Sequence, residues 1–84
     1  MSGRTLVLLG KPGCHLCEAM RDVVSPVAAE MGLGVDEVDV RSDPELEALY
    51  ASDIPVLLLD GREVARHRLT GASLRARLAE MGVA

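Results

Sequence analysis

The stretch RTLVLLGKPGCHLCEAM, residues 4–20, decides how the rest of the chain is read. Leu6 to Leu9 form an apolar run that does not alternate with polar residues, the pattern of a strand buried on both faces. Gly10, Pro12 and Gly13 end that run. From Leu16 the period changes. Leu16, Met20, Val23, Val24, Val27 and Met31 recur at helical spacing and predict one inward-facing stripe, with Met20 and Met31 as gap-fillers. Between strand and helix stand Cys14 and Cys17, the two cysteines of the chain. Four readings of the pair are open: a redox couple, part of a metal site, a structural disulfide, or two small core residues.

Outward from this stretch, Pro26 falls inside the helical pattern and predicts a kink or a split, with Ser25 capping the second piece. Gly32 supplies a left-handed cap. In LGVDEVDV (33–40), Val35, Val38 and Val40 mark a second strand. RSDPELEALY (41–50) starts a helix, with Ser42 or Asp43 as the cap, Pro44 in the first position, and Glu45 and Glu47 near the positive end. DIPVLLLDGREVARHR (53–68) reads as a hairpin: a strand from Ile54 to Leu59, a tight turn at Asp60-Gly61, and a return from Arg62 to His67. His67, with Arg66 and Arg68, reads as a solvated strand edge. A last helix follows, capped by Thr70 or Ser73, with Leu74, Leu78 and Met81 turned inward. The expected fold is a single α/β domain over residues 1–84 with the order β-α-β-α-β-β-α. Helices should cover both faces of a four-stranded mixed sheet. Because helices join the first three strands, these are expected to be parallel, with the fourth antiparallel to the third.

The 84 residues carry a net charge of −4, are 49% hydrophobic and include a single aromatic residue, Tyr50. The core must therefore be aliphatic. An acidic chain without a stacking platform is a poor nucleic-acid binder. Acids cluster in the middle, from Asp36 to Glu47, and arginines in the last third, from Arg62 to Arg77. Such blocks are ordinarily solvated faces; their functional reading is the steering of a charged partner. No apolar stretch reaches the roughly 18 residues of a membrane span, and the run from Leu6 to Leu9 is too short for a signal peptide. A cytoplasmic protein is expected. There thiols are kept reduced, which weighs against a permanent structural disulfide.

The spacing of the cysteines has chemical content. Thiols at i and i+3 on a first helical turn are close enough to bridge. A helix N-terminus stabilises a thiolate at Cys14, and Lys11 and His15 add positive charge nearby. Cys14 is then the nucleophile, and Cys17, one turn deeper, resolves the mixed disulfide. A zinc site takes four ligands, and two cysteines with His15 and the distant His67 do not obviously supply them. A metal or cluster shared between two protomers stays open.

KPGCHLC (11–17), VDVRSDPELEALY (38–50), IPV (54–56) and LDGREV (59–64) together resemble the glutaredoxin-like branch of the thioredoxin-fold superfamily, over nearly the whole chain. The resemblance implies a thioredoxin-like fold and thiol–disulfide exchange by Cys14 and Cys17. It implies a cis Ile54–Pro55 bond lying against the cysteines. The backbone of Ile54 would pair with a peptide-like substrate, Lys11 would meet a substrate carboxylate, and His15, Thr70, Gly71 and Ser73 would line the same site. The chain departs from the family pattern in several places, among them the missing aromatic residues around the site and a first strand without the buried acid of thioredoxins. His15-Leu16 replaces the usual Pro-Tyr, and TGAS (70–73) lacks the acids that hold the amino group of glutathione. No resident cofactor or metal is implied, and glutathione is left open as a co-substrate. The expected partner is a disulfide-bearing protein or a low-molecular-weight thiol, met by a monomer, with no nucleic-acid or membrane partner. The alternative is a non-enzymatic module of the same fold that carries a metal or iron–sulfur cluster, or binds a partner protein.

Overall fold

The computed structural model describes residues 4–83. The chain forms β1 (Thr5–Gly10), α1 (His15–Met31), β2 (Gly34–Asp39), a 3-10 turn at Val40–Ser42, α2 (Pro44–Tyr50), β3 (Val56–Leu59), β4 (Arg62–Arg66) and α3 (Gly71–Glu80). The sheet order is β2-β1-β3-β4. Among the described residues no helix is long and apolar enough to cross a membrane.

β1 is central and buried on both faces. Leu6 and Leu8 pack with Met20, Val24 and Val27 of α1 and with Leu74 and Leu78 of α3. Leu9 packs with Val40 and Val56 on the opposite face, where Leu46 and Tyr50 of α2 cover them in part. The continuous apolar run of β1 follows from this two-sided burial.

β1 and β2 are parallel, but β3 runs antiparallel to β1, with Leu9 opposite Val56 and Leu6 opposite Leu59. This corrects the expectation of three parallel strands. A parallel β3 needs the chain to descend the length of β2, six residues or about 20 Å. The seven residues of α2 rise only about 10 Å. The connection therefore crosses the sheet without returning, and β3 starts at the end where β1 finishes.

Other expectations are refined. α1 runs unbroken through Pro26, and Ser25 caps nothing. Pro26 and Asp22 are both exposed, so the Asp22 carbonyl that loses its helical partner faces water. Buried Val24, Val27 and Ala28 hold the helix on either side of the proline. Gly32 closes α1 with φ 71°, and the Leu33 N–H donates to the Ala28 carbonyl at 2.8 Å. Asp43 is the cap of α2, and Thr70 that of α3. The hairpin turns at Asp60 and Gly61, with φ 52° and 77°, both left-handed as a tight two-residue turn requires. β3 starts at Val56 rather than Ile54, and β4 ends at Arg66 rather than His67. A bulge at Val64 interrupts the β3–β4 ladder, and Arg77 Nη1 donates to the Val64 carbonyl at 2.8 Å.

Candidate functional site

The antiparallel β3 brings two loops to one end of the sheet. β1 ends at Gly10, and the chain turns through Lys11-Pro12-Gly13, where Gly13 takes φ 76°. Cys14 is the N-cap of α1, in extended conformation, and its Sγ accepts from the Cys17 N–H at 3.2 Å. The Glu18 N–H donates to the Cys14 carbonyl at 3.1 Å. Thus a sulfur occupies the place that Ser, Thr, Asp or Asn fills in most helices. Cys14 and Cys17 are joined as a disulfide, with Cα atoms 5.2 Å apart. Cys14 is half-buried; Cys17 is 8% exposed.

Gly10 makes room for this pair. A Cβ there would lie 2.9 Å from Cys17 Sγ. By sequence pattern alone Gly10 reads as a strand end. A glycine closing a buried strand four residues before the first cysteine was the signal of close packing.

Across from Gly10 the ladder continues toward Pro55, which is buried and follows a cis peptide bond from Ile54. The Pro55 carbonyl accepts from the His67 N–H at 2.8 Å. His67 takes φ 66°, an uncommon value for a residue with a side chain. It is therefore the corner that leads β4 into α3 and braces Pro55, not a continuation of the strand edge. Beside it, Arg66 pairs with Asp53 at 3.2 Å and with Glu63. Both carboxylates hold the Arg66 guanidinium in its charged form, with the Glu63 hydrogen bond the stronger cause.

Two clefts open beside α1, one taking in Cys17 and one reaching Leu16. One, about 250 Å³, lies between α1 and β2 and is lined by Lys11, Cys17, Glu18, Arg21, Glu37 and Asp39. In it Arg21 pairs with Glu37 at 3.6 Å. Asp39 is held below the ordinary carboxylate range by hydrogen bonds from Arg41. The other cleft, about 290 Å³, lies between α1 and the β4–α3 connection and is lined by Leu16, Met20, Val23, His67, Leu69 and Thr70.

Of the residues marked in the sequence, Lys11 thus shares a cleft with Cys17, and Thr70 faces Leu16 across the other. The Thr70 hydroxyl accepts from the Ser73 N–H at 3.1 Å, so it caps α3. Gly71 is the first residue of α3, and His15 is the exposed first residue of α1. Ile54 is half-buried and packs in the smaller core. Leu16 departs from the expected inward stripe: it is 38% exposed. On this first turn Cys17 is the residue that packs against the end of β1, and Leu16, one position earlier, is turned away from it. Among the described residues, no group of three or more His, Cys, Asp or Glu side chains is placed to hold a metal ion.

Comparison with known families agrees with this geometry. The model of the Glutaredoxin-like domain (DUF836) matches residues 5–79. The chain belongs to the glutaredoxin-like domain family. An uncharacterized protein of Mycobacterium tuberculosis is 31% identical to this family member over 84 residues, covering 94% of this chain and 87% of that protein. The solution structure of protein Ne2328 from Nitrosomonas europaea superposes with a TM-score of 0.77 at 26% identity, covering 90% of this chain and 92% of the other. Thioredoxin 2 from Pseudomonas aeruginosa, in its reduced form, superposes with a TM-score of 0.63 at 26% identity, covering 96% of this chain and 81% of the other. The glutaredoxin-like chain therefore has a thioredoxin fold, with its cysteine pair at the start of α1.

Proposed function

We propose that this glutaredoxin-like protein is a small dithiol oxidoreductase. The observation that carries the reading is the position of Cys14. Its sulfur caps α1 and accepts from the Cys17 N–H, while Cys17 lies one turn deeper and nearly buried. In the reduced protein the Cys14 thiolate is favoured by the helix N-terminus. It attacks one sulfur of a partner disulfide, forming a Cys14–partner bond and expelling the other partner sulfur as a thiolate, which takes up a proton. Cys17 then loses its proton and attacks Cys14 Sγ. The second partner sulfur leaves as a thiolate and is protonated in turn. Two electrons pass from the dithiol to the partner, and the Cys14–Cys17 disulfide remains.

Lys11, His15, Ile54, Pro55, Thr70 and Gly71 form the substrate surface in this reading. The substrate is a disulfide-bearing protein or a low-molecular-weight thiol such as glutathione, and the protein works as a cytoplasmic monomer without nucleic acid, membrane or resident cofactor. A redox titration of Cys14–Cys17 in glutathione buffers, read by alkylation and mass, tests it. A reversible two-electron transition between about −180 and −270 mV is expected. A protein that forms no disulfide under strongly oxidising buffers, or that is isolated with stoichiometric metal or a coloured cluster on these thiols, overturns it in favour of a carrier.

A further inference from the structure

We propose that the cleft between α1 and the β4–α3 connection receives an acidic, extended segment of the partner protein next to the disulfide being exchanged. The inference rests on the oxidoreductase reading and adds the chemistry of the substrate.

The α1 side of this cleft is apolar and begins at Leu16, the residue between the two cysteines in the chain. Leu16 sits between Cys14 and Cys17, and Ala19, Met20 and Val23 extend the same strip along α1 at helical spacing. Met20 is only 2% exposed, but Leu16, at 38%, offers its side chain to solvent. A lone exposed leucine needs no explanation, but one that follows Cys14 in the chain and lines a cleft is a seat for an apolar side chain. The cleft volume of about 290 Å³ suits one or two side chains.

The rim carries one cation, Arg68, and no carboxylate; His67 lines it as well. Among the described residues, no acid pairs with Arg68. α3 begins at Gly71 beside this rim, so its positive end adds to the same field. The cleft on the other side of the cysteines differs: there Lys11 and Arg21 are matched by Glu18, Glu37 and Asp39. The chain as a whole is negative, at −4. An acidic segment is thus repelled by the β2–α2 side, with Asp36, Glu37, Glu45 and Glu47, and drawn to the one rim without acids. Such contrast sets encounter rate and orientation more than raw affinity.

The exchange chemistry is unchanged. The Cys14/Cys17 dithiol gives two electrons to the partner disulfide, which becomes two thiols, while Cys14–Cys17 becomes the disulfide. What the cleft adds is a preference for the partner whose cysteine is flanked by an apolar and then an acidic residue.

The test uses two short peptides, each with one internal disulfide, differing only in Leu-Glu-Glu or Leu-Lys-Lys beside the attacked cysteine. Their second-order reduction rates by the reduced full-length protein are compared. The acidic peptide should react at least about tenfold faster at low salt, and the gap should close near 1 M salt. Arg68→Glu should abolish or invert the ratio. Arg62→Glu, the same charge change at the hairpin end of β4, should leave it unchanged. Equal rates for the two peptides, a ratio that survives Arg68→Glu, or a ratio that Arg62→Glu lowers as much, overturns the proposal. Failure to reduce either peptide, together with failure to reduce a small uncharged disulfide, instead overturns the oxidoreductase reading beneath it.

Discussion

The Cα of Gly10 and the sulfur of Cys17 abut so closely that no side chain fits between them: a Cβ on Gly10 would lie 2.9 Å from Cys17 Sγ and 3.1 Å from its Cβ. Gly10 is buried at the end of the central strand, so neither partner can withdraw easily. Gly10→Ala should cost about 1–3 kcal/mol by overpacking. The double variant Gly10→Ala/Cys17→Ala should regain part of that loss, because the obstructing sulfur is gone. Urea unfolding of the four proteins in the cycle measures the coupling. A cycle that shows no coupling between the two positions would place the clash elsewhere.

His67 holds a left-handed backbone, φ 66°, while its N–H donates to the Pro55 carbonyl at 2.8 Å. A β-branched residue tolerates that conformation poorly. His67→Val should lower stability by about 1–2 kcal/mol. His67→Asn and His67→Gly should change it by less than about half as much, since both residues enter this region readily. Thermal melts of the three variants separate the backbone effect from loss of the imidazole.

Arg77 reaches from α3 to the carbonyl of the bulged Val64 at 2.8 Å. Arg77→Met keeps most of the stem and removes the donor. It should cost about 1 kcal/mol, seen as a lower urea midpoint with an unchanged slope. An unchanged midpoint would mean that water satisfies the bulge equally well.

Three carboxylates, Glu30, half-exposed Asp39 and Glu63, are held below their ordinary values of 4.5, 3.8 and 4.5. The first cause in each case is a hydrogen bond from an arginine: Arg75, Arg41 and Arg66 respectively. Depressed carboxylates favour the folded state when ionised. Their contribution is complete above the unfolded-state values and is lost as pH falls through the lower folded values. Stability should therefore be independent of these groups above about pH 5.5 and decline through and below about pH 4.5. Exposed pairs are weak and screened, so the effect is small and shrinks with salt. The variant Glu30→Gln/Asp39→Asn/Glu63→Gln should show a flatter acid limb in urea titrations from pH 3 to 6; an identical limb assigns acid sensitivity to other groups.

Local patterns were legible and distant geometry was not. Asp43-Pro44 and Asp60-Gly61 act through their own backbone, so the turn could be read from two letters and the cap narrowed to Ser42 or Asp43, of which Asp43 is the one used. The cysteine pair was legible at the start of α1 for the same reason. The direction of β3 was not, because it depends on how far the seven residues of α2 carry the chain, and the sequence leaves that length loose. Pro26 misled because its cost depends on whether the Asp22 carbonyl meets water or protein. Leu16 and His67 looked like core and edge by periodicity. Leu16 faces Leu69 and Thr70, some fifty residues away and outside any window of sequence, while His67 meets Pro55 only because the hairpin between them closes.

Because Cys14 caps α1 through the very atom proposed to react, two substitutions that look equivalent on paper are different experiments. Serine is a good N-cap and keeps an acceptor where the sulfur was, whereas alanine leaves the first turn without one, at about 1 kcal/mol. Cys14→Ser is thus the silent knockout, a protein with its chemistry removed and its architecture intact. Any phenotype seen only in Cys14→Ala belongs to the helix and not to the thiol.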